Sequence, residues 1–506
     1  MQKNFSIIDD SDIGKSYTIP CIIEKIRQTS GPTVFSLNDG FGIFKATAFV
    51  KPGERAFMQL APGDSINATI AIKKRKDDLE GELLEAEPLT KDEIAKLMKT
   101  IGNKTDPCDV PFLIKADILD KLRPKMLDAA KIIRTAIFSQ TLIILKHHAD
   151  CDGYCSGVAL ERAIMPLIEE NSKSGSNTSF YFRRSPCKTP FYEYSDVLRD
   201  ISTVIELNES GKKPLFILSD LGAVEENLDA IKRLRIHDAT IVVIDHHNPD
   251  GAENIKKMEE NCDIYINPYC EGFDSSLVCG MICTELARLI NKDAKNIEFL
   301  PALAGTGDKS NKNEFDQYLK ISGYDPEYLK KFAICVDFET HYIKYMEGRM
   351  LVDELFCANK ARHEKLIELL YCNVEKKMNT LKVAVQKYME VTNIDNLKLI
   401  KIDCEKVTSQ GEFPNSSKIV RIAHELYSGP RITIGLHSDA IIFRVDSVKN
   451  FNVNDLVSRL QKLKPHAVIE GGGHEFAGTL SFLPAAKIEI ITYVERYILF
   501  LKQKRF

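Results

Sequence analysis

His148, Asp150 and Asp152 fall at every second position of the segment Thr141–Gly157, TLIILKHHADCDGYCSG. In an extended chain that spacing turns all three side chains to one side. Two carboxylates and an imidazole brought to one point repel one another unless a cation lies between them. An oxygen-rich set that includes histidine suits Mn²⁺ or Mg²⁺ better than a thiolate-preferring ion. Taken by itself, the segment also reads as a polar strand-to-helix turn in which Asp150 or Asp152 caps the helix.

The elements that would position such residues recur downstream. Thr141–Leu145 is a short apolar run, β-branched and leucine-rich, and reads as a buried strand. Pro214–Ser219 is a second such run and ends on Asp220; Thr240–Ile244 is a third and ends on Asp245-His246-His247. Ala302–Gly307 then leads to Asp308 through what reads as a glycine-rich bend. Continuous hydrophobic runs are the mark of buried parallel strands. In open α/β sheets, sites form outside the carboxyl ends of the strands. Three strands that each end in metal-competent residues are hard to explain as helix caps.

Together, His148-x-Asp150-x-Asp152-Gly153, Asp220, Asp245-His246-His247 and Asp308 resemble the four motifs of the DHH phosphoesterases. Near the C-terminus, Gly471-Gly472-Gly473-His474-Glu475-x-Ala477-Gly478 resembles the glycine-rich signature of the companion DHHA1 domain. The combination resembles a RecJ-type exonuclease, and the added N-terminal module resembles that of archaeal RecJ-like proteins. The likeness runs from about Thr141 to the C-terminus; it departs from bacterial RecJ at His148, where those enzymes tend to carry Asp.

The resemblance implies a metal-dependent exonuclease that hydrolyses phosphodiester bonds of single-stranded DNA or RNA with two divalent ions, Mn²⁺ or alternatively Mg²⁺. It assigns His148, Asp150 and Asp220 to one ion and Asp152, Asp220, His246 and Asp308 to the other, the two standing ~3.5–4 Å apart. It makes Asp245 the residue that orients a ligand and His247 a donor or general acid facing the scissile phosphate. Gly471, Gly472, Gly473 and His474, expected as a loop, with Arg444 on a preceding strand, would hold substrate phosphate. A narrow cleft between two lobes would admit a single strand and exclude a duplex. Replication or repair proteins are partners implied by the family alone. Two alternatives stay open: a phosphodiesterase acting on oligoribonucleotides or cyclic dinucleotides, and a Cdc45-like replication scaffold without catalysis. An N-terminal barrel argues against the first, and the filled motif positions argue against the second.

The expected fold class is multidomain α/β. Residues 1–93 carry short strand-like runs and the hairpin signal Asn38-Asp39-Gly40-Phe41-Gly42, and their order resembles an OB-like barrel. Such barrels bind single strands through stacked aromatics and basic backbone contacts. Phe35, Phe41, Phe44, Arg27, Lys45 and the run Lys73-Lys74-Arg75-Lys76 are the candidates; the competing expectation is that each Phe is barrel core and the basic run a solvated hairpin tip, since Asp77, Asp78, Glu80 and Glu82 follow it. Residues 94–140 read as a helical linker, 141–340 as a doubly wound parallel-sheet catalytic lobe whose first helix spans Ser156–Ile168, 341–395 as a helical connector and 396–506 as a smaller α/β lobe. A polar loop is expected at Asn171–Asn177, and the terminal Lys502-Gln503-Lys504-Arg505 as a cationic helix end.

A net charge of −4 over 506 residues does not advertise a nucleic-acid binder, so any basic surface must be local. The 13 cysteines are scattered and form no CxxC pair, which points to reduced, mostly buried thiols and no zinc ribbon. Residues 1–12 lack the features of a signal peptide, and no uncharged apolar run reaches membrane-spanning length. A soluble, cytoplasmic protein without membrane contact is expected.

Overall fold

The computed structural model describes residues 3–75, 78–171, 181–187, 191–207, 212–223, 227–249, 251–343, 349–356, 360–409, 411–448, 451–474 and 477–500. Lys76, Asp77, residues 172–177 of the expected polar loop, Glu475 and the terminal Lys502–Arg505 run lie outside them. The chain divides into two compact units, Met1–Ala333 with Tyr345–Arg349, and Ile334–Lys344 with Met350–Phe506.

The first unit begins with a closed barrel. Its strands run Ser16–Gln28, Thr33–Asn38, Ile43–Ala48, Asp78–Pro88 and Ser65–Arg75 in spatial order. Strand Ser65–Arg75 shows why the barrel closes: its burial alternates, so that Ile66, Ala68, Ile70 and Ile72 fill the interior with Phe35 and Phe44. At the hairpin, Asp39 Oδ1 accepts from the backbone N–H of Phe41 (2.8 Å) and Gly42 (2.9 Å), while Gly40 sits at φ +81°. The barrel is tied to the elements after it. Asn38 Nδ2 donates to Phe138 O (3.3 Å), Lys104 Nζ to Phe41 O (2.6 Å), and Lys212 pairs with Glu24 while donating to Ser139 O (2.6 Å).

Helix Lys91–Thr105 starts on a capping box of Thr90 and Glu93. Helix Asp117–Phe138 buries Leu119, Leu122, Met126, Ala129 and Ile133. The sheet that follows is entirely parallel, in the order Ile264–Ile266, Thr240–Ile244, Leu215–Ser219, Ile143–His148, Phe182–Cys187. The chain starts in Ile143–His148, crosses to one side for Phe182–Cys187, then returns to the other side for Leu215–Ser219. The topological switch point therefore lies between Ile143–His148 and Leu215–Ser219, where an α/β sheet opens a crevice at its carboxyl edge.

Two local expectations change. The first helix spans Cys151–Asn171, beginning well before Ser156, so Asp152 sits in a helical turn and not in an extended segment. The run leading to Asp308 is not a bend but the helix Leu300–Gly307, with Asp308 as its C-cap.

The second unit carries helix Lys360–Tyr388 and a six-stranded sheet, ordered Met389–Ile394, Leu397–Asp403, Arg431–Leu436, Ala440–Asp446, Ala477–Ser481, Glu470–His474. The glycine run, read from sequence as a loop, is the edge strand Glu470–His474. Gly471 lies at φ +153°, and a Cβ there would stand 2.2 Å from Thr479 O. That glycine is required by the closeness of the paired backbone.

Candidate metal centre

The turn after strand Ile143–His148 is closed by Gly153, where a Cβ would lie 2.2 Å from His148 O. Gly153 N–H donates to Asp150 Oδ1 (3.0 Å), which fixes that carboxylate beside the strand end. His148 Nδ1 then stands 2.8 Å from Asp150 Oδ2 and 3.7 Å from Asp220 Oδ2. Asp220 follows the neighbouring strand Leu215–Ser219 across the switch point, at φ +58°, with its N–H bonded to Ile244 O (2.8 Å). A non-glycine residue held at positive φ stores backbone strain of a kind that concentrates at functional sites.

Asp152 is placed by a second helix. Its Oδ2 accepts from Cys279 N–H (2.9 Å) and its Oδ1 from Gly280 N–H (2.7 Å), both at the N-terminus of helix Cys279–Ile290. Gly280 permits this approach: a Cβ there would meet Asp152 Oδ1 at 2.9 Å and Ala304 Cβ at 2.4 Å. His246 Nδ1 donates to Ser275 O (2.9 Å), which leaves Nε2 to face Asp308 Oδ2 (3.4 Å), Asp220 Oδ1 (3.5 Å) and Asp152 Oδ2 (3.7 Å). The tautomer is inferred from this hydrogen bond.

Asp245 is 1% exposed. It accepts from Ala223 N–H (2.6 Å), His246 N–H (2.7 Å) and His247 N–H (3.2 Å), and from His247 Nδ1 at 2.8 Å. Burial opposes its charge, but His247, His246 and these donors prevail and hold the carboxyl down at about 2.

The six expected ligands thus come together. His148, Asp150 and Asp220 form one set with ligand atoms within 4.8 Å of one another, and Asp152, His246 and Asp308 form another. A third set is Asp220, His246 and His247. Whether these side chains suit a cation is tested by their unmet bonding. Among the described residues, both carboxylate oxygens of Asp220 and Nε2 of His246 are buried without a hydrogen-bond partner. Burial pushes the Asp308 carboxyl up to about 6, and raises Asp152 well above the carboxylate range, with the charge of Asp220 adding to both. Burial works against charge on His148 and His246, yet the surrounding carboxylates raise both well above an ordinary imidazole. Unpartnered acceptors and mutually repelling carboxylates are what a divalent cation relieves, so the residues fit one.

Three positioning groups act through contacts that only the fold supplies. The N-terminus of helix Cys279–Ile290 lies 127 residues from the Asp152 it orients. Asn267, fully buried, donates to His247 O (3.0 Å). His147 Nδ1 donates to His148 O (2.8 Å), and its Nε2 faces Arg184 Nη1 (3.1 Å), which is itself held by Glu161. A polar residue beside the motif marks His147, but only the fold reveals its partner.

The other expected residues are dispersed. Arg444 lies on strand Ala440–Asp446, with Nη2 donating to Ser417 Oγ (3.2 Å). It pairs across the sheet with Ala477, which pairs in turn with His474, so the register sets Arg444 and His474 in one row of the second unit. In the barrel, Phe35 and Phe44 are core, whereas Phe41 is exposed with Lys104 5.9 Å from its ring centre; Arg27 is exposed. Among the described residues, Lys45, Lys73, Lys74 and Arg75 each face a carboxylate. Lys45 pairs with Glu80 (3.0 Å), Lys73 with Glu82, Lys74 with Asp10 (2.9 Å), and Arg75 stands 3.8 Å from Glu80. The carboxylates that follow the run in sequence fold back across the hairpin onto it.

The DHH family, N-terminal domain, matches residues 141–306. An uncharacterized protein of Methanocaldococcus jannaschii is 35% identical over 507 residues, spanning 93% of this chain and 67% of its own. The chain belongs to the DHH family. A solved DHH domain described as a member of an s1p family of ribosomal proteins is 36% identical, with a TM-score of 0.76 over 81% of this chain and 98% of that one. RecJ of Thermus thermophilus, solved in complex with Mn²⁺, shares the fold at 13% identity, with a TM-score of 0.54 over 80% of this chain and 58% of that one. Among the described residues, no helix is long and apolar enough to cross a membrane.

Proposed function

We propose that this DHH-family chain is a metal-dependent phosphoesterase that removes nucleotides from an end of single-stranded DNA or RNA. The observation that carries the catalytic part is Asp220: a strained, buried carboxylate at the switch point, between two ligand sets, with neither oxygen hydrogen-bonded among the described residues. In this reading His148, Asp150 and Asp220 hold one divalent ion, and Asp152, Asp220, His246 and Asp308 hold a second, Mn²⁺ or Mg²⁺ by the oxygen-rich donor set. Bound cations would supply charge neutralisation of the phosphodiester and an activated water at neutral pH.

The protein's own groups do the rest. Burial works against charge on His247, but Asp245, which accepts from its Nδ1, raises the imidazole above its ordinary value. Nε2 of His247 can then give a proton to the leaving oxygen, a step typically worth about 10²–10⁴-fold. Asn267 holds the backbone that carries this ring. Arg444 and the Gly471–His474 strand of the second unit are proposed to bind substrate phosphate; the shared register row supports their acting together.

The nucleic-acid part rests on the five-stranded barrel, which a mononucleotide substrate would not need. The neutralised hairpin favours the reading in which long strands are held weakly there and short oligonucleotides serve as well. The test is digestion of DNA and RNA single strands labelled at one end or the other, with Mn²⁺, Mg²⁺ or chelator, beside Asp150→Ala. Stepwise metal-dependent loss from one end, absent in the variant, is expected. Turnover of dinucleotides alone would replace the exonuclease with a small-substrate phosphodiesterase, and no turnover of either would leave a scaffold.

A further inference from the structure

Cys279 stands where the donor set departs from pure oxygen and nitrogen. It opens helix Cys279–Ile290, is fully buried, and its thiol donates to Ile244 O with sulfur and oxygen 3.4 Å apart. The same sulfur lies within 4.8 Å of a carboxylate oxygen of Asp152 and of one of Asp220, and those oxygens lie equally close to each other. Ligands bound tetrahedrally at roughly 2.0–2.3 Å from one ion stand about 3.3–3.8 Å apart, so this triangle closes on an ion by drawing in by at most about 1.5 Å on each side. A second observation points to a ligand there: Asp220 is 1% exposed and neither of its oxygens has a hydrogen-bond partner among the described residues.

We propose that Cys279 Sγ, Asp152 and Asp220 form a thiolate–carboxylate subsite that captures a thiophilic divalent cation, Zn²⁺ or Cd²⁺, in place of the Mn²⁺ or Mg²⁺ that the carboxylates alone would select. The inference rests on the cation centre of the proposed function. Binding exchanges the S–H···O bond to Ile244 for a sulfur–metal bond, and the thiol proton leaves to solvent. Asp152 and Asp220 also belong to the proposed Mn²⁺ or Mg²⁺ sets, so a cation held on this triangle displaces the activating ion. Soft donors and the general order of divalent affinities both favour Zn²⁺ over Mn²⁺ at such a set. The subsite would therefore make the enzyme sensitive to excess zinc.

The experiment is titration of the metal-free full-length protein with Cd²⁺, read by the ultraviolet charge-transfer absorption of a thiolate–cadmium bond, in parallel with calorimetric titration by Mn²⁺. The expected result is a saturable band at one Cd²⁺ per chain, lost in Cys279→Ser and kept in Cys283→Ser, a buried thiol one helical turn further on. Cys279→Ser should weaken Cd²⁺ by at least about tenfold, the scale seen when groups around a metal are altered, and Mn²⁺ far less. Absence of the band in a protein that binds Mn²⁺ would overturn the subsite and leave the proposed function intact. A band that survives Cys279→Ser would assign the capture to another thiol and overturn it equally. Failure to bind either ion would overturn the cation centre itself.

Discussion

Two clusters of charge in the first unit were both candidates for binding, and the fold treats them in opposite ways. At the ends of the parallel strands, Asp152, Asp220 and Asp308 are gathered around one imidazole, that of His246, and left under-compensated. At the barrel hairpin, Lys73, Lys74, Arg75 and Lys45 each meet a carboxylate across or beside the turn. In the first cluster Asp152, Asp220 and His246 are buried, with Asp308 at its open edge; the second is largely exposed and its ion pairs are screened by water and salt. A functional site shows itself as charge the fold declines to satisfy. By that measure the strand ends are a site, and the hairpin is a surface whose described cations are already engaged.

The sharpest way to break the comparison is Asp220→Asn. If Asp220 bridges two cations, the variant should lose measurable cleavage. If the metal-free cluster is also strained by like charge, the same variant should be more stable than the parent by ~0.5–2 kcal/mol without metal, the trade-off expected at sites that sacrifice stability for function. Thermal unfolding with chelator and with Mn²⁺ checks both, and a destabilised metal-free variant would mean that Asp220 is structural. Next in size is His247→Gln. It removes the proposed acid but no ligand of the two main sets, so kcat should fall by about 10²–10⁴-fold while cation affinity stays near that of the parent. A parallel loss of Mn²⁺ binding would instead make His247 a ligand, as the set Asp220, His246 and His247 permits.

Gly280→Ala probes the group that sequence reasoning missed. The added methyl would meet Asp152 Oδ1 and Ala304, displacing the carboxylate from the helix N-terminus. A 10–100-fold weakening of cation binding, at about the size typical when a ligand's supporting hydrogen bonds are disturbed, is the expected calorimetric result.

These three positions also mark what was legible in the sequence. Asp220 and Asp245-His246-His247 could be found because polar, metal-competent residues follow β-branched apolar runs, and a parallel sheet puts such residues at one edge. The strand order that sets His148 and Asp220 on either side of the switch point could not, because a crossover leaves no trace in either strand it joins. Asp152 was found for a reason that the structure corrects: its alternation with His148 and Asp150 is not strand periodicity, since the helix already starts at Cys151. Gly280 carried no pattern at all, since its role depends on a distant partner. In the second unit, the triple glycine read as an anion loop is an edge strand, where close backbone pairing is reason enough for Gly471.

The smallest expected effect tests the other half of the comparison. If the hairpin cations are silent because carboxylates already hold them, removing a cation should change little, and removing a carboxylate should expose one. Lys73→Ala should leave single-strand affinity within about twofold of the parent. Glu82→Gln should free Lys73 and steepen the salt dependence of single-strand binding by about one further phosphate contact, a slope change of ~0.7 for a single strand. Fluorescence anisotropy with an end-labelled oligonucleotide across a salt series reads both variants on one scale. A marked loss with Lys73→Ala would mean that the cation contacts phosphate despite its ion pair. In that event Glu82 positions Lys73 for the strand and does not neutralise it, and the contrast between the two clusters becomes one of degree, set by burial and not by pairing.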